Sequence, residues 1–338
     1  MRMPDRSRRR FLECAAGLST AALAGNVIAR TASASATGMP TRILGRTGVR
    51  VSIIGVGGWH AGAIRDERES IRLMQTAVDE GINFFDNCWD YLDGRAEEVM
   101  GKALEGRRQR VFLMTKVCDR DYAGAMKHLE DSLRRLKTDH LDLWQFHEIC
   151  YDNDPDWVFE KGAIKAALEA QRAGKIRFIG FTGHKDPRIH LKMLAKPHSW
   201  DACQMPINVM DYHFRSFQNE VVPVCLKHNV GVIGMKGLGG GYPEPRFPAR
   251  AGLTVEEGYG YCFNTPVATQ VVGMTSLQQL KQNVALARAF RPMRPEQKQA
   301  LLHRVKDLAG DGRHELFKTT RNFDGPYHRR QHGFEVGD

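Results

Sequence analysis

The sequence lacks any paired-cysteine pattern. Its seven cysteines include no Cys-x-x-Cys and follow no regular spacing, which argues against a zinc site and against a disulfide framework. Cys14 lies in the N-terminal segment, while Cys88, Cys118 and Cys150 each follow a predicted strand end by two or three residues. Those three could approach one another in space, but we expect them to be small, buried packing residues.

The sequence also has little of what nucleic-acid binding, disorder or membrane insertion requires. Its formal charge of +10 accompanies no basic stripe with a recognisable reading element, although basic residues cluster near the C-terminus. Those residues are Arg313, Lys318, Arg321, Arg329 and Arg330. The apolar fraction of 42% and the charged fraction of 26% are those of an ordinary globular protein. Because the basic residues form no such stripe, we expect no nucleic-acid partner. Because no long apolar run follows the N-terminal segment, we also expect no stable membrane insertion.

Residues 1–36 resemble a twin-arginine (Tat) export signal. Ser7-Arg8-Arg9-Arg10-Phe11-Leu12 is followed by a modestly apolar run from Ala15 to Ala29 and by small residues up to Ala36. A transmembrane anchor is the rival interpretation, but the run is too short and too weakly apolar for the roughly 20 residues that a span needs. We therefore expect cleavage near Ala36, passage of the folded protein through the Tat translocase and a periplasmic location.

The rest of the chain alternates between strand-like and helical patterns. A short hairpin is predicted from Thr41 to Val51, with its turn at Arg46-Thr47-Gly48. Eight apolar runs predict strands at 51–57, 83–88, 111–117, 141–147, 175–182, 202–207, 231–236 and 268–274. Apolar residues at helical spacing predict intervening helices, among them 69–80, 126–136 and 164–172.

Eight strands that alternate with helices predict an α/β protein with a (β/α)8 barrel, or TIM barrel. A doubly wound sheet is the alternative, but Gly55-Val56-Gly57-Gly58-Trp59-His60 lacks the third glycine of a dinucleotide-binding turn. We assign residues 37–312 to the barrel, including a C-terminal helix at 295–308, and residues 313–338 to a polar tail that lies over it. The tail contains His314, His328 and His332, which we expect to be solvated because no acid or cysteine accompanies them.

Active residues of such barrels lie at the C-terminal ends of the strands, and four ionisable side chains are predicted there. Asp86 ends the second barrel strand with Tyr91 just after it, Lys116 ends the third and His147 ends the fourth. An ammonium group lowers the pKa of a nearby tyrosine from its reference value of about 10. We expect Lys116 to act on Tyr91 in this way, Asp86 to keep Lys116 charged and neutral His147 to orient a substrate carbonyl. General-acid catalysis of this kind contributes about 10²–10⁴ in rate.

In their strand contexts, these four side chains resemble the catalytic tetrad of the aldo-keto reductases. The likeness runs from the hairpin to about Ala289. It includes Leu44-Gly45-Arg46-Thr47-Gly48, Gly57-Gly58-Trp59, Gly101-Lys102-Ala103-Leu104 and Asp142-Leu143-Trp144-Gln145-Phe146-His147. The resemblance implies NAD(P)H-dependent reduction of an aldehyde or ketone, or the reverse oxidation, with Tyr91 as the proton donor. It also implies a pocket for a small carbonyl substrate walled by Trp59, to which we add Trp89 and Glu148. Asp90 and Glu148 face either the substrate or solvent.

Cofactor-binding residues follow from the same resemblance. Thr182 and Gln204 would hold the nicotinamide carboxamide, and the loop Met235-Lys236-Gly237-Leu238-Gly239-Gly240-Gly241 would lie against the ribose and pyrophosphate. A helix N-terminus after the eighth strand would receive the adenosine-side phosphate. The residues there are Gly273, Thr275, Ser276, Gln279 and Asn283.

The cofactor region departs from the family pattern at several positions. Thr182-Gly183 replaces a Ser-Asn pair, and Gly273 and Gln279 replace the lysine and arginine that often grip a 2′-phosphate. Since Asn283 is retained, the resemblance favours NADP(H) over NAD(H) only mildly. If the protein acts outside the cytoplasm, it would have to carry its cofactor tightly bound across the membrane. Alternatively, it acts in the cytoplasm before export.

Other interpretations stay open. One is a regulatory or binding subunit of the same fold that holds NADP without turnover, although the retention of all four catalytic groups argues against it. A metal-dependent barrel hydrolase would need His-x-His after an early strand, whereas His60 stands alone. We therefore expect no metal site. No segment specifies an interface, so a monomer and an oligomer are both compatible with the sequence.

Overall fold

The computed structural model of the chain describes residues 33–34, 37–241 and 251–336. Apart from a two-residue strand, β1 (Ser33–Ala34), the predicted export signal at 1–36 lies outside the described residues. Within the described ranges, no helix combines the length and the apolar character that crossing a membrane requires.

A small antiparallel sheet precedes the barrel, as predicted. β2 (Pro40–Ile43) pairs with β3 (Arg50–Ser52) and with β1. The connection is a 3-10 turn at Gly45–Thr47, and Gly45 itself has a φ of +48°. A Cβ atom at Gly45 would lie 2.2 Å from the backbone nitrogen of Gly231, so only glycine allows the hairpin to approach the barrel this closely.

Eight parallel strands close into a barrel, which confirms the predicted (β/α)8 fold. They are β4 (Ile54–Gly57), β5 (Phe84–Asp86), β6 (Phe112–Val117), β7 (Leu141–Phe146), β8 (Ile176–Thr182), β9 (Ala202–Pro206), β10 (Gly231–Met235) and β11 (Thr269–Val272). The seam joins the first strand to the last, with Ile54 opposite Gln270. The run predicted as one strand at 51–57 is split between β3 and β4. Ser52 causes the break, because its hydroxyl donates to the Ile54 carbonyl at 2.7 Å while its amide bonds Asn83.

Alternate strand residues face two separate apolar layers. Phe84, Phe112 and Leu143 cluster inside the barrel with Leu44 and Val51 of the hairpin. Residues at the intervening positions pack outward against the helices. Because both faces of each strand are buried, the strands read as continuous apolar runs in the sequence.

Helices separate the strands and surround the barrel. In chain order they are α1 (Gly58–Gly62), α2 (Glu67–Asp79), α3 (Arg95–Ala103), α4 (Tyr122–Arg135), α5 (Asp154–Glu160), α6 (Ala163–Arg172), α7 (Pro187–Leu194), α8 (Phe217–Glu220), α9 (Val222–Lys227), α10 (Val255–Phe263), α11 (Leu277–Ala289), α12 (Pro295–Ala309), α13 (Leu316–Thr319) and α14 (Pro326–Gln331). The predicted helix 126–136 begins earlier, at Tyr122, because the Asp121 carboxylate caps it by accepting from the Gly124 amide at 2.8 Å.

The polar tail packs on the barrel through buried ionic groups. Lys318 of α13 is 1% exposed and bonds Asp211 and Glu315 at 2.8 and 2.9 Å. His328 is 2% exposed and lies 3.1 Å from the Asp154 carboxylate. The expectation of solvated tail histidines is therefore wrong for His328, and also for His332, whose side chain is 5% exposed and lies 3.1 Å from the same carboxylate. The acid that accompanies both comes from α5, too far away in the sequence for a local pattern to reveal it.

Candidate active site

Strand periodicity places the predicted catalytic groups at one end of the barrel interior. Successive side chains of a strand alternate between its two faces. Asp86 therefore follows Phe84 on the inner face of β5, and Lys116 follows Met114 on the inner face of β6. His147 directly follows β7, and Tyr91 begins a 3-10 turn after β5. The structure thus brings all four side chains to the C-terminal ends of three neighbouring strands.

The Lys116 ammonium is the centre of this group. It is 1% exposed and is bonded to the Asp86 carboxylate, to the Asn87 carbonyl at 2.7 Å and to the Tyr91 hydroxyl at 3.4 Å. The other Asp86 oxygen accepts from the Gln204 amide at 2.6 Å. The lysine is consequently held in one position, with one of its protons directed at the tyrosine oxygen.

The pKa of Tyr91 shifts opposite to the direction expected from the sequence. Burial raises it well above the usual value, and the negative charge of Asp86 adds to the shift. Burial is the larger cause, and Asp86 adds to it because it brings to the tyrosine a negative charge that opposes the effect of Lys116. The hydroxyl therefore keeps its proton at neutral pH, so it can act as a donor in a reaction that draws the proton away.

His147 is neutral at physiological pH. Burial, together with the charge of Lys116, holds its pKa well below the usual value. Its ring lies 5.7 Å from the Tyr91 ring, centroid to centroid, and nearly perpendicular to it. A neutral imidazole beside a protonated phenol can offer a second hydrogen bond to one acceptor atom, as a carbonyl oxygen would require.

The predicted carboxamide-binding pair lies next to the catalytic group. Thr182 and Gln204 are opposite each other on β8 and β9, and both are at most 2% exposed. Gln204 Oε1 is buried, and no donor in the described part of the chain bonds to it. An amide NH2 group placed there would satisfy this acceptor, so these residues fit a nicotinamide carboxamide.

The glycine-rich loop 235–241 and the segment that begins at Gly273, both predicted to bind the cofactor phosphates, meet at His60. His60 Nε2 lies 3.0 Å from the carbonyl oxygen of Gly241, at the end of the glycine-rich loop 235–241. On its other side, a Cβ atom at Gly273 would come within 2.5 Å of the His60 ring. In the sequence His60 is an isolated histidine with no predicted role. Its position directly after β4 and Trp59 was the available signal that it belongs to the rim.

Several other residues predicted to bind the cofactor make hydrogen bonds within the protein. The Ser276 hydroxyl caps α11 by accepting from the Gln279 amide, and the Gln279 side chain accepts from the Thr275 amide at 2.8 Å. Asn283 is 7% exposed on the same helix. The loop residues Met235, Lys236 and Gly240 are half-buried, while Gly237, Leu238 and Gly239 are buried.

The replacement of asparagine by Gly183 has a steric cause. A Cβ atom there would lie 2.2 Å from the Ile149 carbonyl oxygen and 2.8 Å from the His190 ring. Any side chain at this position would force β8 and the loop after β7 apart. The structure therefore excludes the amide contact that an asparagine side chain at this position would make.

The predicted pocket residues differ in their surroundings. Trp59 is half-buried in α1, at the end of β4. The Trp89 ring is stacked 3.5 Å from His128 of α4 and also meets Tyr327 of the tail edge to face, so the structure gives it a packing role. Glu148 is 4% exposed and does not face solvent.

The tail lies against the predicted pocket. The Gly325 amide donates to both oxygens of Glu148, at 2.8 and 3.0 Å. A Cβ atom at Gly325 would be 2.7 Å from an Asp90 carboxylate oxygen, so glycine allows the backbone to rest on both acids. Burial and the charges of Asp90 and Asp324 raise the pKa of Glu148 well above its usual value. The sequence predicts a tail over the barrel, but no local pattern indicates this contact.

Comparisons with known proteins match this arrangement. The sequence pattern of the Aldo/keto reductase family fits residues 53–247, more than half of the chain. The uncharacterized oxidoreductase YrpG of Bacillus subtilis is 32% identical over 231 residues, which span 59% of this chain and 66% of that relative, just under two thirds. L-galactose dehydrogenase of Arabidopsis thaliana is 27% identical over 313 residues, 79% of this chain and 95% of that protein. The solved structure of aldo-keto reductase AKR11C1 from Bacillus halodurans (holo form) is similar with a TM-score of 0.68 and 29% identity, covering 82% of this chain and 99% of that one.

Proposed function

Because the chain belongs to the aldo/keto reductase family, we propose that it is an NAD(P)H-dependent oxidoreductase that reduces an aldehyde or ketone to an alcohol, or catalyses the reverse reaction. One observation carries the proposal: the buried Lys116 ammonium bonds both the Asp86 carboxylate and the Tyr91 hydroxyl. A lysine held in this way next to a protonated phenol is suited to proton transfer at that phenol oxygen.

The protein's own groups account for the proton side of the reaction. The bound nicotinamide supplies or accepts the hydride. Tyr91 donates its hydroxyl proton to the carbonyl oxygen, and Lys116 stabilises the phenolate that remains. Asp86 keeps Lys116 in place, and neutral His147 orients the carbonyl oxygen towards Tyr91. In the oxidative direction the same groups act in reverse.

We propose NADP(H) as the preferred cofactor. Gln204 and Thr182 would hold the carboxamide, and the supporting observation is the buried oxygen of Gln204, to which none of the described residues donates. The glycine-rich loop 235–241 and the N-terminus of α11 would hold the phosphates. The preference over NAD(H) rests on Asn283 and on the family resemblance alone, because Gly273 and Gln279 offer no positive charge.

A polar carbonyl compound is the proposed substrate class. Asp90 and Glu148 lie together at the mouth of the barrel, beneath Gly325. The similarity to a sugar dehydrogenase along 79% of the chain supports a substrate that carries hydroxyl groups. If this is correct, Glu148→Leu should lower kcat/KM for hydroxylated aldehydes more than for unsubstituted ones; equal effects on both would contradict it.

We also propose export through the Tat pathway to the periplasm, on the basis of the Arg8-Arg9 pair and the small residues before Thr37. The full chain, expressed in a bacterium with an active Tat system, should appear in the periplasm in a shortened form. Arg8→Lys combined with Arg9→Lys should retain it in the cytoplasm. Equal periplasmic amounts of the two proteins would contradict the proposal.

The decisive experiment measures cofactor binding and turnover in the same protein. Fluorescence titrations with NADPH and NADH give the two affinities, and a panel of aldehydes gives turnover. Tyr91→Phe should bind NADPH as the unchanged protein does but lose about 10²–10⁴ of kcat. Tyr212→Phe, which alters an exposed tyrosine, is the matched control and should keep full activity. Binding without turnover in the unchanged protein would point instead to a regulatory or binding subunit. No binding of either nucleotide would contradict both proposals.

A further inference from the structure

Three metal-ligating side chains, Cys88, Asp90 and Cys118, converge on Nδ1 of His147. Cys88 and Asp90 follow β5, Cys118 follows β6 and His147 follows β7, and one donor atom from each lies within 4.8 Å of all the others. The two sulfurs are 3.8 Å apart. His147 Nδ1 lies 3.1 Å from the Cys88 sulfur, 3.6 Å from the Cys118 sulfur and 3.5 Å from an Asp90 oxygen.

Three of these four separations are close to those of a tetrahedral metal site, while the Cys88–Nδ1 separation of 3.1 Å is shorter and would have to widen on binding. With metal–sulfur bonds of about 2.3 Å, two thiolates of a tetrahedral zinc ion lie roughly 3.8 Å apart, and a thiolate lies roughly 3.5 Å from an imidazole nitrogen bound at about 2.0 Å. We propose that Cys88, Cys118, Asp90 and Nδ1 of His147 form a binding site for one divalent zinc-type cation. Two thiolates, an imidazole and a carboxylate suit zinc and disfavour magnesium and calcium, which prefer oxygen ligands alone.

Two similar clusters of potential metal ligands contain an acid that is already paired with a lysine or an arginine, unlike Asp90. Asp324, beside Cys150 and His184, is already paired with Lys185 at 2.8 Å. Asp154, beside two tail histidines, is paired with Arg120 at 3.2 Å. In both places a cationic side chain of the protein already neutralises the acid.

Asp90 has no such lysine or arginine partner among the described residues. Its Oδ1 atom is buried and lies beside the Nδ1 of His147, and the thiols of Cys88 and Cys118, which are weak donors, are the side chains that hydrogen-bond this carboxylate. A buried carboxylate is costly unless it is paired with a strong partner or coordinates a metal. The cluster of Cys88, Asp90, Cys118 and His147 is therefore the one of the three that a cation would complete.

The site goes beyond the proposed function but shares two residues with it, His147 and Asp90. A metal bound to Nδ1 of His147 leaves the ring proton on Nε2. That tautomer is a hydrogen-bond donor, which is the role that the proposed function gives His147. Metal binding itself, however, depends only on the four side chains and is measurable without cofactor or substrate.

The test uses the full chain, purified under reducing conditions, stripped with a chelator and checked for free thiols. Zinc is then titrated in competition with a chromophoric chelator. We expect one zinc ion per chain. Loss of a ligand's hydrogen-bonding partner already costs 10–100-fold in affinity, so loss of a ligand in Cys88→Ala or Cys118→Ala should cost at least about 100-fold. Cys225→Ala, which removes an equally buried thiol from α9, is the matched control and should bind zinc unchanged.

Cobalt provides an independent readout of the ligands. Cobalt(II) in the site should give the visible spectrum of tetrahedral coordination with a sulfur-to-metal charge-transfer band. That band should weaken in each of the two cysteine variants but not in Cys225→Ala. Equal zinc affinity in Cys118→Ala and Cys225→Ala would overturn the proposal. So would a Cys88–Cys118 disulfide that forms in the chelator-treated protein and persists when excess zinc and a thiol reductant are present.

Discussion

Lys318 should be the most stabilising single side chain of the tail. It is buried with both of its acidic partners, and its ammonium also donates to the Phe214 carbonyl at 2.7 Å. Lys318→Met keeps the length of the side chain but leaves Asp211 and Glu315 buried without a cation. Removing one partner of a buried ion pair costs about 3–5 kcal/mol, and we expect a loss of this size at neutral pH.

The loss should depend on pH in a defined direction. Burial already raises the pKa of Glu315 to about 7 although Lys318 is present, and removal of the lysine should raise it further. A carboxyl whose pKa is higher in the folded than in the unfolded protein binds its proton more tightly when folded. The free energy of unfolding of the variant should therefore increase as the pH falls from about 8 to about 5, and the deficit should shrink.

Urea denaturation followed by circular dichroism measures both effects. Lys306→Met, on the exposed face of α12, is the matched control and should change the free energy of unfolding by about 0.5 kcal/mol or less. Neutralising the stranded acids, with Asp211→Asn and Glu315→Gln added to Lys318→Met, should restore most of the stability. A Lys318→Met loss no larger than that of the control, or one that is the same at both pH values, would refute the reasoning.

Three further predictions concern the active site. Lys116→Met should lower kcat by about 10²–10⁴ while NADPH binding, followed by fluorescence titration, is retained; an unchanged kcat would contradict the role of the lysine. Because the pKa of His147 is depressed and that of Tyr91 is raised, both side chains keep one protonation state near neutrality. The pH profile of kcat/KM should therefore be flat from about pH 6 to 8. A titration step near pH 6.5 that disappears in a His147 variant would contradict this. Gly183→Asn should lower the denaturation midpoint without improving NADPH affinity. Gly106→Asn, at an open turn with φ +70°, is the control and should leave the midpoint nearly unchanged. A larger loss in midpoint for Gly106→Asn than for Gly183→Asn would show that the backbone at 183 can move.

The barrel and the position of the four catalytic candidates could be predicted because both depend on local periodicity. Each strand is buried on both faces, so apolar runs mark it, and alternation then fixes Asp86 and Lys116 on the inner face. The hairpin was equally visible, since its turn needs glycine at 45 and 48, both with positive φ. The split between β3 and β4 was not, because the Ser52 hydroxyl that causes it resembles any other strand serine.

Features that depend on distant partners could not be predicted in this way. The Tyr91 pKa depends on how burial and Asp86 balance Lys116, which spacing along the chain does not show. The burial of His328 depends on Asp154, 174 positions earlier. Cys88 and Cys118 follow predicted strand ends, but only the closed barrel shows that both sulfurs lie within 3.6 Å of the same imidazole nitrogen.

The seam of the barrel has a consequence for biosynthesis. β4 gains its second neighbour only when β11, roughly two hundred residues later, has left the ribosome. Until then the nascent sheet has two open edges, and open edges pair readily with other chains. A translation product that stops before Thr269 cannot close, whereas one that stops within the tail already has all eight strands. Truncated products should therefore fall into two classes. Those that end before β11 should require chaperones or proteases, and those that end after it should stay monodisperse.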